Sequence, residues 1–392
     1  MTPTSTHFSA LARTSLKPLR PHQQLGIDML KEAIGSGKRR PMFQAACGFG
    51  KTVLGAHIVA GAMRKGNRVA FSVPALSLID QSCEKFIENG ILPEQIGVIQ
   101  ADHAWRRPDA AVQVCSAQTL ARRGWPDVQV VVIDEAHLRF KIYERWMAEC
   151  PRTVFVGLSA TPWSKGLGKL FDKLIRPISM RELVEQGYLS RFKVYAPTHP
   201  DLKGVATRQT VNGLDYVEEQ LAERMSQPTI IADVVGTWMQ LAHGLPTLCF
   251  GVNRAHAALL SDQFERAGVP TAYIDMLTSR EDREVIKARL RAGNVKVICN
   301  VGTMTTGVDE DIRAISLCRP MKSEQLLVQI DGRVMRNAPG KTVGLILDHS
   351  DAHLTLGLPT DIDESHDELS FGSDPQSSGK AKRERKLPLP KE

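Results

Sequence analysis

No apolar run in this 392-residue chain approaches the ~20 residues that a membrane-crossing helix needs. That absence excludes a helical transmembrane class. Its seven cysteines (Cys47, Cys83, Cys115, Cys150, Cys249, Cys299 and Cys318) include no Cys-x-x-Cys pair. Zinc is therefore not expected as a cofactor. Cys115 and Cys299 fall in strand-like runs, where a thiol acts as a small buried hydrophobe. The odd count, with no secretion signal, points to a reducing compartment and against secretion. No acidic residue precedes Asp28. The opening stretch resembles a mitochondrial presequence in composition, but a flexible N-terminus over residues 1–18 is the simpler reading.

The length exceeds what one core usually organises, so two domains are expected. The apolar fraction of 42% is that of a globular protein. A net charge of +7 suits a polyanionic partner without requiring one.

Strand-like and helix-like stretches alternate. Strands are expected at residues 41–46, 69–73, 111–115, 128–133 and 154–158. Helical spacing occupies 22–34, 52–63, 76–88 and 142–150. The pattern pauses from about 178 to 228. It then resumes with strands at 247–250, 271–274, 295–299, 314–317 and 342–347, separated by helical stretches. Alternation of this kind builds α/β domains with parallel sheets flanked by helices. Beyond residue 358 the apolar periodicity is lost. Residues 361–368 are acidic and 380–386 basic, so 359–392 is expected to be a disordered charged tail.

Two segments carry chemistry. Gly48-Phe49-Gly50-Lys51-Thr52 lies between a strand and a helix. Glycines there let the backbone curl around a phosphate, the lysine reaches the β- and γ-phosphates, and the threonine hydroxyl suits magnesium. Ala45 holds the place of the usual first glycine. Downstream, the buried run Val131-Val132-Ile133 ends in Asp134-Glu135-Ala136-His137. Ligands of open α/β sheets bind beyond the carboxyl ends of strands. Asp134 is placed to hold Mg2+, and Glu135 to orient and deprotonate a water. The pair predicts binding and hydrolysis of a nucleoside triphosphate.

On these residues the chain resembles the superfamily 2 helicases, the DEAD/DEAH-box group, and in particular bacterial and phage DNA-repair-type members. The resemblance spans about residues 19–350 in the family's motif order. It implies two tandem RecA-like domains of the P-loop NTPase fold with an ATP cleft between them. The first covers residues 19–180, an inter-domain connection 181–228, and the second 229–358.

Each motif then implies roles. Leu19-Arg20-Pro21-His22-Gln23 is similar to the Q-type motif, with Gln23 and Arg20 at the adenine. Ala45, Gly48, Phe49, Gly50, Lys51 and Thr52 would bind ATP, joined by Gly307 and Asp309 of motif V. Thr52 and Asp134 would hold Mg2+; Lys51, Glu135, Gln329, Arg333 and Arg336 would be catalytic. The two arginines lie in Gln329-Ile330-Asp331-Gly332-Arg333-Val334-Met335-Arg336, similar to motif VI, where spacing by three would put them on one helix face as arginine fingers. His137 and, in motif III, Ser159 and Thr161 would couple the γ-phosphate site to strand binding. Trp163, next to motif III, is expected to pack rather than to stack on a base. Ser72 and Pro74, Ser116, Gln118 and Thr119, Val252 and Asn253, and Thr303 and Thr305 would contact a nucleic-acid backbone.

These expectations define an ATP-dependent helicase or translocase in the cytoplasm of a bacterial or phage-infected cell. It would act on single-stranded or branched DNA, with a possible nuclease or repair partner. An RNA helicase and a motor subunit of a restriction-type complex remain alternatives.

Overall fold

Short runs of β-branched residues between helical stretches form two separate parallel sheets. The computed structural model describes residues 16–100, 102–210, 213–302 and 310–371. These fall into two compact units. One runs up to Ser179 and regains the chain at His366; the other spans Met180–Ser365.

The first unit contains α1 (Pro21–Gly35), β1 (Pro41–Gln44), α2 (Lys51–Met63), β2 (Val69–Val73), α3 (Ile79–Glu88), β3 (Ile96–Val98), β4 (Val112–Ser116), α4 (Ala117–Arg123), β5 (Val130–Asp134), α5 (Lys141–Glu149), β6 (Val154–Ser159) and β7 (Lys173–Ile175). Its sheet has the order β3-β4-β2-β5-β6-β1-β7, and every pairing is parallel. Val131, Val132 and Ile133 are buried, as a central strand covered on both faces requires. On α3 the apolar positions Ile79, Cys83, Phe86 and Ile87 point inward. Trp146 of α5 anchors the core, stacked on Trp125 at 5.8 Å and edge-on to Phe155 at 5.5 Å between ring centroids. The three-residue strands β3 and β7 are too short to show a period, so the sequence did not reveal them.

The second unit contains α6 (Met180–Glu185), β8 (Arg191–Tyr195), β9 (Thr207–Thr210), β10 (Gly213–Tyr216), α7 (Glu218–Met225), α8 (Pro228–Leu241), β11 (Thr247–Phe250), α9 (Arg254–Arg266), β12 (Thr271–Ile274), α10 (Arg280–Arg291), β13 (Val297–Asn300), β14 (Ala314–Leu317), α11 (Glu324–Val334), β15 (Val343–Asp348), α12 (Ala352–Leu356) and α13 (Pro359–Ser365). Six strands form a parallel sheet ordered β12-β13-β11-β14-β15-β8, and β9 and β10 make a hairpin. Trp238 fills its core, donating its indole N–H to the Thr247 hydroxyl at 2.7 Å. Cys249, Cys299 and Cys318 are buried beside it.

Two segments differ from the expected organisation. The sequence pattern implies a connection over residues 181–228. Instead they supply β8, which pairs in register with β15 from Arg191↔Val343 to Tyr195↔Leu347. The strand is Arg-Phe-Lys-Val-Tyr, whose alternating charge suits a sheet edge and masks it in an apolar scan. The first part of the expected tail is also ordered. Asp363 has no exposed surface and accepts the Met180 amide at 2.8 Å. Arg181 binds Asp361 at 2.7 Å and Glu364 at 2.6 Å. The acidic run is thus partnered by a helix far upstream, which composition cannot show. From His366 the chain lies on the first unit. His366 stacks on Trp163, centroids 4.4 Å apart, Leu369 joins the core, and the Gly168 amide donates to Ser370 at 2.9 Å. The basic residues 380–386 lie outside the described residues.

Replacing Asp363 with Ala strands the Met180 amide. The expected local cost is about 1–3 kcal/mol, read as faster hydrogen exchange at Met180 with exchange in β5 unchanged.

Candidate nucleotide site

The loop from Ala45 to Gly50 leaves β1 at its carboxyl end and turns into α2. Gly48 and Gly50 hold φ of 83° and 90°, a region that disfavours a side chain. At Gly50 a Cβ would also strike the Gln23 amide. Phe49 is fully buried, edge-on to His22 at 4.9 Å and to Phe43 at 5.5 Å, and so pins the loop to the core. Past Gly50, the first turn of α2 presents N–H groups that no residue within the helix can accept. Lys51 and Thr52 stand there, half-buried.

The ammonium of Lys51 lies between two carboxylates. It contacts Asp134 at 2.8 Å and also Glu135. Burial pulls the Lys51 pKa down, but the two carboxylates override it and hold it above its ordinary value. Burial also raises Asp134, with Lys51 opposing and Glu135 reinforcing the shift. Glu135 sits in the left-handed region at φ 49°, a conformation that costs about 1–3 kcal/mol outside glycine.

A polar chain leads from this cluster to β6. His137 approaches Glu135 at 3.4 Å and shares a 2.8 Å hydrogen bond with Ser159. The Ser159 hydroxyl accepts the Thr161 amide at 3.0 Å, and its carbonyl accepts the Ala45 amide at 2.8 Å. Ser159 therefore joins the phosphate loop, the strand end of Asp134 and motif III. Burial lowers the His137 pKa, Glu135 raises it and Lys51 lowers it.

The Thr52 hydroxyl and the Asp134 carboxylate are hard oxygen donors of the kind Mg2+ takes. A cation, the Lys51 ammonium, already rests on Asp134 in this structure. The residues fit a magnesium ion.

Gln23 is buried and fully engaged. Its Nε2 donates to the Phe49 carbonyl at 2.8 Å, and its Oε1 accepts the Arg20 amide at 2.8 Å. It ties α1 to the phosphate loop, while Arg20 is exposed.

Several expected nucleic-acid contacts are core residues instead. Ser72 has no exposed surface and hydrogen-bonds the Tyr143 hydroxyl at 2.8 Å. Ser116 is likewise buried and caps α4 by accepting the Thr119 amide at 3.1 Å. Thr119 is buried against the Ser116 hydroxyl at 3.0 Å. Val252 is buried and its amide donates to His256 at 3.0 Å. Ser72, Ser116 and Val252 lie at or just past strand ends and Thr119 in the first turn of α4, where hydroxyls and amides satisfy nearby chain first. Pro74 and Asn253 are half-buried and Gln118 is exposed. Asn253 caps α9 through the His256 amide. Thr303, Thr305, Gly307 and Asp309 lie outside the described residues.

In the second unit Gln329 is half-buried and Arg333 buried on α11. Arg336 does not share their helix face. The helix ends at Val334, and a single bridge pairs Arg336 with Leu189. Asn337-Ala338-Pro339-Gly340 follows and prevents the helix from continuing.

Residues 16–164 match the family described as "Type III restriction enzyme, res subunit", and residues 229–338 match "Helicase conserved C-terminal domain". With these two domain matches the chain resembles the superfamily 2 helicases. It is 29% identical over 335 residues to the "51.5 kDa protein" of Lactococcus phage (isolate 7-9), covering 83% of this chain and 68% of the phage protein. To "Putative ATP-dependent helicase IRC3" of Saccharomyces cerevisiae it is 28% identical over 382 residues, covering 90% of this chain and 55% of the yeast protein. The chain thus spans little more than half of that relative. A solved structure, "ATP-dependent Type ISP restriction-modification enzyme LlaBIII bound to DNA", is similar with a TM-score of 0.63 at 16% identity, over 85% of this chain and 28% of that one. The shared fold is two tandem RecA-like domains.

The charge balance around His137 yields a titration. Its imidazole is expected to titrate below the ordinary 6.5 when followed by NMR. Glu135→Gln removes a neighbour that raises it, so the midpoint should fall further; a rise would contradict the assigned causes.

Proposed function

We propose that the chain is an ATP-dependent DNA translocase of the helicase type that unwinds or remodels branched DNA. The observation that carries this reading is the convergence of Lys51, Asp134 and Glu135 beside a phosphate loop, with Ser159 linking them to motif III. A dead nucleotide switch would not need the general base.

In this reading Lys51 leaves the carboxylates for the β- and γ-phosphates, and the amides of the loop and of α2 cradle them. Asp134 and Thr52 would hold Mg2+. The chemistry it would supply is neutralisation of phosphate charge. Glu135, released from Lys51, orients a water and takes its proton. The developing negative charge is met by Arg333 and Arg336, whose guanidinium groups spread charge over several donors. To meet an adenine, Gln23 exchanges the Phe49 carbonyl for the base edge. Loss of the γ-phosphate is sensed at Glu135 and passes through His137 and Ser159 to Thr161. Gln118, Pro74 and Asn253 are the expected phosphate contacts, which position a strand without reading its sequence.

DNA is favoured because the similar restriction-modification enzyme is described as bound to DNA. A second reading, a motor subunit that works beside a nuclease, is supported by the restriction-subunit family matched by residues 16–164. In that case turnover depends on a partner that supplies cleavage.

Steady-state ATP hydrolysis with single-stranded, forked and duplex DNA and with RNA, at two salt concentrations, tests the proposal. DNA should stimulate most, and stimulation should weaken with salt. No stimulation by any nucleic acid would sink the motor reading, and preference for RNA would move the substrate. Lys51→Ala should abolish turnover. Glu135→Gln should retain ATP binding by titration while kcat drops at least ~10²-fold.

A further inference from the structure

The turn that carries Arg336 is held by a lysine that no motif includes. Lys341 directs its ammonium at three backbone carbonyls: Val334 at 2.6 Å, Ile312 at 2.7 Å and Arg336 at 2.8 Å. An ammonium has three N–H donors, so each is used. Two of these carbonyls close the end of α11 and the turn beyond it, where a helix leaves acceptors without donors and carries partial negative charge. The third belongs to Ile312, three residues after the motif V stretch ends at Asp309.

Neighbouring bonds complete the grip. The Ser190 amide donates to the Met335 carbonyl at 2.7 Å, and Asn337 donates to the Gly187 carbonyl at 2.6 Å. Deeper in α11, Asp331 meets His353 at 3.0 Å, and the far side of that ring meets Asp348 at 2.8 Å. All of this lies within the second unit.

We propose that Lys341 is a positioning residue for motif VI: its ammonium fixes the chain direction at Val334–Arg336, and with it the aim of Arg333 and Arg336. The proposal rests on the motor reading and deepens it. Lys341 touches no substrate; it acts through the backbone of the residues that would.

The site also makes the grip sensitive to pH. Burial pulls the Lys341 pKa down to about 8, against Asp311, which raises it, and with Arg313, which lowers it further. Arg313 is itself bound to Asp311 at 2.9 Å and to the Pro339 carbonyl at 2.7 Å. Above that pH the amine keeps two donors for three carbonyls. Between about 8 and the ordinary 10.5 the unfolded chain holds a proton that the folded chain has lost. This group alone therefore makes stability rise with pH in that window. Falling activity there cannot be assigned to unfolding at Lys341.

The experiment is DNA-stimulated ATP hydrolysis by the full chain from pH 7 to 9.5, with melting followed at each pH. Wild type should lose kcat with a midpoint near pH 8. Lys341→Met should lower kcat about ten- to a hundredfold, as small misplacements of catalytic groups do, with KM for ATP little changed and no alkaline limb left. Lys341→Arg keeps its charge throughout, so it should retain much of kcat and lose the limb. A wild-type kcat in Lys341→Met, or a wild-type limb in Lys341→Arg, overturns the proposal. Should Lys341→Met fail to fold, the Lys341→Arg profile decides. Arg336→Ala separates the two readings. If it depresses hydrolysis while both Lys341 variants behave as wild type, only the positioning role falls; if wild type does not hydrolyse ATP, both readings fall.

Discussion

One ammonium shared between two carboxylates organises the first unit. Lys51, Asp134 and Glu135 retain only about a fifth to a quarter of their side-chain exposure, and charges held so far from water are costly unless paired. Pairing them draws the start of α2 onto the end of β5, 84 residues downstream. Ser159 then brings in the end of β6. Glu135 is held in its unfavourable backbone conformation because its side chain is claimed from two sides, by Lys51 and by His137. A triphosphate with its metal would enter a cluster in which one ammonium already serves two carboxylates, and would have to redistribute those pairings. In the proposed mechanism that redistribution, rather than any single residue, would link nucleotide state to the loop after β6.

The second unit repeats the device at another strand end. Asp348 closes β15, and His353 bridges it to Asp331 on α11 with no exposed side-chain surface at any of the three. Burial pulls the His353 ring down, yet Asp331 and Asp348 push it up to about 10, and the ring with its neighbouring donors holds Asp348 at about 2. A cation between carboxylates thus fixes the helix that carries Arg333. In both units the parallel sheet collects its strand ends along one edge, and the polar residues there are arranged by charge compensation.

Much of the site could be read without coordinates. The phosphate loop, the Asp134-Glu135 strand end and the motif order are local patterns. A loop needs glycine where φ is positive, and a buried strand needs an apolar run, so spacing along the chain carries the information. The alternation of strands and helices behaves likewise and marked both sheets, apart from the edge strands β3, β7 and β8. Arg336 marks a limit: a spacing of three implies a shared face only while the helix continues, and α11 stops at Val334.

What the sequence determined by itself was the parallel α/β architecture and the chemistry of the phosphate loop with its carboxylates, because those follow from neighbours in the chain. Tertiary structure alone decided which polar side chains face inward. Ser72 could serve a phosphate as readily as a core until Tyr143, 71 residues away, takes its hydroxyl. Gln23 is bound to Phe49 across 26 residues, the acidic run after Pro359 finds Arg181, and Lys341 gains its role only where Ile312 meets the end of α11. Hydroxyls, amides and charges take whichever partner the fold brings within about 3 Å, and that proximity is a property of the folded chain rather than of any segment.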